Sequence, residues 1–273
     1  MPLLSDITLG KYVEVDSPLH RLDPRTKFLA TTALMMALLT TEGFVPLLLC
    51  IPFIALAVRC SRVPPGLVLK NLRPFLWLFF FTLVLHALLT PGVTLWRLPY
   101  LDRPITVEGV QLGLFFSLRL GAVVLIASLL TLTTTPMELT DGLEKLLSPL
   151  RRFGFPAHEL AMMVSIALRF IPVLVEEAER LHKAQLARGA DFGGNPLRRA
   201  RNLLPLLVPL FISAFSRADR LALAMESRCY RGGEGRTRYR ELHFGRLDTW
   251  AALITLLAFL AICGGPRLWP LLR

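Results

Sequence analysis

The sequence predicts an all-α membrane protein, with about five transmembrane helices and a set of long cytoplasmic helices between the last two spans. Three observations predict it. First, 53% of the 273 residues are hydrophobic and the mean hydropathy is +0.53, too apolar for an ordinary soluble domain. Second, 31 Lys and Arg against 20 Asp and Glu leave a net charge of +11, and the basic residues gather at the ends of apolar runs, as in an inner-membrane protein with basic cytoplasmic loops. Third, two stretches in the second half carry helix start and stop signals more than thirty residues apart. A basic chain often partners nucleic acid, but no groove-reading module is legible, so nucleic acid is excluded.

The first segment, residues 1–132, holds an N-terminal stretch and four spans. "MPLLSDITLGKYVEVDS" has no cationic region leading straight into an apolar one, so it reads as a cytosolic N-terminus and not as a cleaved signal peptide. Asp23 and Pro24 make an N-cap followed by proline at the first helical position, and an apolar run follows over 28–40. Arg21, Arg25 and Lys27 hold that end inside. A second run over 44–58 closes on Arg59 and Arg62. Both are short for a hydrocarbon core that needs about 20 residues, so they read either as two thin spans or as one broken hairpin. Lys70 and Arg73 precede a third span over 74–89. Residues 90–111, with Pro91, Gly92, Trp96, Pro99 and Pro104, read as an external loop with an interfacial tryptophan. A fourth span over 112–132 returns inward.

Residues 133–246 carry the distinctive signals. In "TTTPMEL", Thr135, Pro136 and Glu138 form a capping box that opens a helix ending near Pro149. A second helix starts at Pro156 and runs to Arg188, before Gly189, Gly193 and Gly194 stop it. Pro172 inside it leaves the Leu168 carbonyl without its partner, so a bend is expected there. Asn195 and Pro196 cap a third helix reaching Arg228. Arg169 in the one helix and Pro205 and Pro209 in the other argue that these are cytoplasmic helices with exposed apolar faces, lying on the bilayer or under another membrane protein, with two extra spans as the alternative. Residues 247–273 add the last span, over 247–263, leaving Arg267 and Arg273 outside.

The two long helices end alike. Ala178, Glu179, Arg180, Leu181, Ala184, Ala187 and Arg188 align with Ala218, Asp219, Arg220, Leu221, Ala224, Ser227 and Arg228 at a constant offset of forty. At 100° per residue, Ala178, Leu181, Ala184 and Arg188 share one stripe, and the second copy repeats it. Small residues allow close approach, and arginine adds a planar, permanent charge suited to a carboxylate. Arginine near a helix C-terminus also suits the macrodipole, and for one copy that would suffice. Two copies point to a plug entering a groove twice, and so to a paired socket. "GGEGRTR", from Gly232 to Arg238, lacks the spacing and the lysine of a nucleotide-binding loop, so any ATP must be handled by a partner.

Four stretches, "DSPLHRLDPRTK", "LTTTPMEL", "ALRFIPVLVEEAERLHKAQLARGADF" and "AMESRCYRGGEGRTR", resemble the T component of energy-coupling factor transporters over nearly the whole chain. That family is marked by two Ala-Arg-Gly-type tripeptides at the ends of long coupling helices. Ala187, Arg188 and Gly189 match the first; Ser227, Arg228 and Cys229 keep the arginine of the second and depart at both flanks. The resemblance implies a non-enzymatic, multi-pass subunit of a bacterial or archaeal cell membrane. Such a subunit sits on two ABC-type ATPases, whose grooves receive the two arginines, and holds a separate substrate-binding S component. It implies no cofactor in this chain, with ATP bound by the partner ATPases. It implies uptake of a vitamin or a metal ion, and it makes Pro172 a hinge candidate. A related T subunit dedicated to cobalt or nickel remains open beside the shared vitamin type.

Other residues carry weaker signals. Arg119 lies within the fourth span, where a charge is by default a functional candidate, although an internal pair or a snorkelling side chain explains it too. His20, His86, His158, His182 and His243 show no metal-ligand spacing, and Cys50, Cys60, Cys229 and Cys263 form no CxxC pair, so no metal site is expected. Arg198, Arg199 and Arg201 crowd a helix start, against the dipole preference, and suit lipid phosphate, an acidic partner or solvent. Arg231, Arg236, Arg238 and Arg240 follow the second tip as docking support or a basic membrane-proximal loop. Asp141 and Glu144, one turn apart, are the sole hint of an integral membrane enzyme, and no nucleophile or ligand set joins them. A secondary transporter would need polar, broken helices in matched halves, and the first and third spans are nearly free of ionisable groups.

Overall fold

Local side-chain capping decides where several of the helices begin. The computed structural model describes residues 12–40, 43–97, 104–190, 196–230, 232 and 243–268. The Asp23 carboxylate accepts the Arg25 amide at 2.9 Å and opens α1, Pro24–Thr40. Proline is harmless at that first position because its missing N–H would have had no helical acceptor. Helix α2, Phe44–Ser61, ends on Arg62 in the left-handed region. The third run is broken into α3, Pro65–Lys70, a 3-10 turn at Arg73–Phe75, and α4, Leu76–Leu89. Helix α5, Val107–Thr133, starts earlier than expected, because the Thr106 hydroxyl accepts the Gly109 amide at 3.1 Å and serves as its N-cap. The expected external loop is correspondingly shorter and contains an antiparallel hairpin, β1 Thr94–Arg97 with β2 Pro104–Thr106. Helix α6 is Pro136–Leu147, followed by a 3-10 turn at Ser148–Phe153. Then come α7 Ala157–Ala187, α8 Pro196–Ser227 and α9 Arg246–Leu268.

The capping box read from "TTTPMEL" is present in both directions. The Glu138 amide donates to Thr135 Oγ1 at 3.2 Å, and the Thr135 amide donates to Glu138 Oε2 at 3.3 Å.

The chain divides into two compact units, residues 10–142 with 241–273, and residues 143–240. In the first, α1, α2, α5 and α9 share a core that includes Ala37, Leu38, Cys50, Ile54, Phe115 and Ile262. Both α1 and α2 pack against α5 and α9, and with each other they make at most marginal contact. The broken-hairpin reading of the first two runs is therefore replaced by two separate helices placed diagonally, each packed between α5 and α9, which likewise make at most marginal contact with each other. Helix α4 packs along α5, where Gly109 and Gly113 bring the backbones together. A Cβ at Gly109 would stand 2.5 Å from the His86 carbonyl oxygen, and one at Gly113 would stand 2.8 Å from that of Leu83. This is a small-xxx-small contact of the kind that lets membrane helices approach closely.

Among the described residues, five helical segments are long and apolar enough to cross a membrane: Phe44–Ser61, Pro65–Leu89, Val107–Thr133, Ala157–Ala187 and Arg246–Gly264. The chain is an all-α, multi-pass membrane protein. The five differ in one respect from those expected. Helix α1, with 17 residues, falls short on length yet is part of the four-helix core, whereas α7 qualifies by composition. Its qualifying apolar stretch gives way to Glu176, Glu177, Glu179, Arg180 and Lys183 along the same helix.

At one end of the four-helix core lies a buried polar knot built from the "DSPLHRLDPRTK" stretch. Lys27, only 5% exposed, donates from Nζ to the carbonyls of His20 at 3.0 Å and Thr133 at 2.9 Å. The Asp23 amide donates to Asp248 Oδ1 at 2.8 Å, and Asp248 Oδ2 accepts the Gly245 amide at the start of α9. The Val13 amide donates to the Leu132 carbonyl, and the His20 ring bridges the Ser17 hydroxyl and the Val13 carbonyl. Of the three basic residues expected to flank this end, only Arg21 is an exposed charge. It binds Asp16 through two nitrogens, and that hydrogen bond, with the guanidinium charge, holds the Asp16 carboxyl below the usual range. Arg25 stacks over the Phe244 ring at 5.1 Å.

Candidate functional site

The second unit contains both arginine-tipped helices. Helices α7 and α8 have 31 and 32 residues, so each is about 47 Å long. Helix α7 continues past Pro172, and α8 past Pro205 and Pro209, although each proline lacks the N–H that would meet the carbonyl four residues before it. The two helices pack on each other, and each leaves large apolar side chains uncovered, among them Met163 and Val164 on α7 and Phe211, Ile212 and Phe215 on α8. Exposure of Phe211 (60%) and Phe215 (68%) is far above what a water-facing surface usually tolerates in one contiguous strip. The helices are joined by an ion pair, Arg217 Nη2 to Glu177 Oε2 at 3.2 Å, with both side chains about two-thirds covered or more.

The two tips are the same structural motif. In α7, Arg188 is the C-cap residue, Gly189 adopts φ +85°, the Gly189 amide donates to the Leu186 carbonyl at 3.0 Å, and the Ala190 amide donates to the Gln185 carbonyl at 3.0 Å. In α8, Arg228 follows Ser227, Cys229 adopts φ +55°, the Cys229 amide donates to Glu226 at 2.8 Å, and the Tyr230 amide donates to Met225 at 3.0 Å. Every donor and acceptor of the second set lies forty residues beyond its counterpart in the first. Both sets are Schellman caps, in which a left-handed residue lets the chain fold back over the last turn. Cys229 takes the conformation that Gly189 takes, so the departures at Ser227 and Cys229 do not change the cap. The side chains of Ala187, Arg188, Ser227, Arg228 and Cys229 are exposed, as is Gly189. Among the described residues no carboxylate pairs with Arg188 or Arg228. Their stripe-mates Ala184 and Ala224 are exposed too, and Leu181 and Leu221 are half-buried. The arrangement presents two guanidinium ends on equivalent turns, free to meet an acidic surface.

Several other expected residues have defined places. Glu144 Oε1 lies 2.8 Å from His158 Nδ1, so it is paired to α7 and is no half of an open carboxylate dyad with Asp141. Arg119 lies over the Phe115 ring at 5.9 Å, and its Nε has no hydrogen-bond partner. Among the described residues no cluster of His, Cys, Asp and Glu has the makings of a metal site. The Asn195 cap, Gly193 and Gly194, the side chains of Arg198, Arg199 and Arg201, Arg231, Arg236, Arg238 and Arg240, Arg273, and the side chains of Trp96 and Pro99 lie outside the described residues.

Three features escaped the sequence reading. The burial of Lys27 and Asp248 was hidden because each looks like an ordinary flanking charge. The interhelical pair of Glu177 and Arg217 had a signal, since the two residues sit at the forty-residue offset immediately before the aligned block. Gly109 and Gly113 also had one, the G-x-x-x-G spacing.

The family described as cobalt transport protein, CbiQ, matches residues 16–239. Similar proteins named energy-coupling factor transporter transmembrane protein EcfT occur in Acidaminococcus fermentans, Thermanaerovibrio acidaminovorans and Bacillus subtilis. The first is 49% identical over 261 residues, covering 95% of this chain and 97% of that protein. The second is 51% identical over 254 residues, 93% of each. The third is 43% identical over 262 residues, covering 95% of this chain and 98% of its own. The chain therefore belongs to the CbiQ and EcfT family of transmembrane transporter components, which are non-catalytic subunits.

Proposed function

We propose that this chain is the coupling subunit of an energy-coupling factor importer, linking ATP hydrolysis by two cytoplasmic ABC-type ATPases to movement of a substrate-binding S component. The single observation that carries the reading is the pair of superposable tips: Arg188 and Arg228 project from equivalent caps at the ends of α7 and α8, exposed and without an acidic partner among the described residues. Two like plugs fit two like grooves, as a dimer of ATPases would offer. An arginine entering an acidic groove gains a desolvated, charge-assisted contact that a solvent-facing helix end lacks. The chain itself then needs no cofactor, ATP being bound by the ATPases. The exposed apolar strips of α7 and α8 suit contact with the S component or the bilayer. The N-terminus lies in the cytoplasm, the side on which the basic ends of the spans gather. Pro172 is the hinge through which movement of the Arg188 end would be transmitted. The cargo is a vitamin or another micronutrient selected by the S component. The family description as a cobalt transport protein supports a second reading, a T subunit dedicated to cobalt or nickel.

The test is charge reversal. Arg188→Glu and Arg228→Glu are each expected to weaken copurification with the ATPase pair by at least roughly thirtyfold, the lower end for losing one side of a buried charged contact. The double variant is expected to abolish uptake while still inserting in the membrane. Normal ATP-dependent import by the double variant refutes the reading.

A further inference from the structure

The first unit contains a side-open apolar cavity of about 270 Å³ between α1, α2, α5 and α9, beside the polar knot. We infer that it holds one acyl chain of an anionic phospholipid, drawn from the leaflet that meets the Arg59 end of α2 and the Arg246 end of α9.

The wall chemistry selects an apolar occupant. Leu34, Ile54, Ala57, Ile126, Leu129 and Ala258 form much of the lining. Two of the four threonine hydroxyls in the lining are already used within their own helices, Thr133 Oγ1 on the Leu129 carbonyl at 2.7 Å and Thr255 Oγ1 on the Ala251 carbonyl at 2.7 Å. A polar ligand would lose its hydration and find almost nothing to replace it. Left empty, such a cavity forfeits dispersion contacts along its whole lining, and its walls do not hold water.

Shape and position select a lipid tail. Along α9 the lining runs from Leu247 to Ala258, about 16 Å at the helical rise, which is roughly half of a ~30 Å hydrocarbon core and so the depth of one leaflet. The cavity is open at the side, and its rim residues Leu56, Leu247, Trp250 and Ile254 are exposed apolar groups on membrane-spanning helices. Trp250 is the kind of ring found where tails meet headgroups.

Charge selects the headgroup. All the cationic groups at the cavity lie at its knot end. Lys27 is in the wall, and exposed Arg59 and Arg246 adjoin the lining residues Cys60 and Leu247. The nearby acids are engaged internally, Asp23 with Arg25, Asp248 with two backbone amides and Glu138 with the Thr135 amide, so that Arg59 and Arg246 are the exposed charges beside the lining. A phosphate at that rim therefore meets net positive charge.

Native mass spectrometry tests this on the full chain released from nanodiscs of equal phosphatidylglycerol and phosphatidylcholine. The expected result is one retained phosphatidylglycerol per chain. Ala57→Phe and Ala251→Phe, each placing a ring in the cavity, should abolish retention at unchanged helical circular dichroism. Arg246→Glu should still retain a lipid, with its preference for phosphatidylglycerol reduced roughly fivefold, the worth of about one interfacial charge. Equal retention by the filled variants, or a protein fragment retained in place of lipid, overturns the inference. Should the Phe variants not fold, a Trp77→Phe, Trp96→Phe, Trp269→Phe chain decides through Trp250 fluorescence. Quenching by acyl-brominated phosphatidylglycerol must exceed that by brominated phosphatidylcholine at equal mole fraction, and equal quenching overturns the inference.

Discussion

Glu177 and Arg217 bind each other at 3.2 Å from equivalent positions of the forty-residue repeat. Each stands eleven residues before its tip, since 188 − 177 and 228 − 217 are equal, so the ion pair lies about 16 Å along either helix from the arginine it serves. A contact between equivalent positions is what a local two-fold relation produces. The pair thus marks where α7 and α8 meet. Glu177→Arg alone should lower the melting temperature of the purified chain and impair uptake. Combining it with Arg217→Glu should restore both, with a coupling energy of about 0.5–1 kcal/mol for a partly exposed pair. A double variant no better than the single ones would show that the pair does not fix where they meet.

The left-handed residues of the two caps make opposite predictions. Gly189→Ala should fray the α7 tip by about 1 kcal/mol, since a side chain at φ +85° is strained although nothing crowds it. Cys229→Gly should tighten the α8 tip by a similar amount, about 1 kcal/mol. Hydrogen exchange at the amides of Gly189 and Ala190, and of Cys229 and Tyr230, reads each change directly, because those amides make the cap bonds.

At the α4–α5 contact, Gly113→Val should cost about 1–3 kcal/mol, because the added carbon meets the Leu83 backbone and the helices must separate. Gly66→Ala is the control, with nothing within 4 Å of its Cβ, and should be neutral or mildly stabilising. Thermal unfolding in one detergent compares the two.

Lys27→Met should be among the most damaging single changes in the first unit. It removes two charge-assisted hydrogen bonds, each worth about 1.5–3 kcal/mol, and leaves Asp23 and Asp248 buried without the ammonium nearby. Arg21→Ala, which breaks an exposed pair, should change the melting temperature little. The contrast checks whether the knot, and not basic character in general, holds that end of the bundle.

How much was legible follows from where each signal lives. The start of α1, the start of α6 and the end of α7 were readable because a cap is a local device, involving residues within about five positions of one another. The start of α5 was misplaced because Thr106 caps it inside a stretch whose prolines and glycine read as loop. The two arginine tips were legible through repetition, whereas their shared cap was not, because Cys229 stands where the first tip has Gly189 at the left-handed position. The burial of Lys27 had no local signal, since its partners come from His20 and from Thr133, more than a hundred residues away.

By itself, the sequence determined the membrane class, the capped starts of α1 and α6, the end of α7 and the twin arginine tips, because apolar run length and capping chemistry act between neighbours in the chain. Only tertiary packing decided that α1 and α2 stand diagonally, each between α5 and α9, that Glu177 meets Arg217, and that one wall of the bundle hollows into a cavity. Those outcomes depend on which faces meet across long loops, and a hydrophobic stripe specifies that it must be covered without specifying by what.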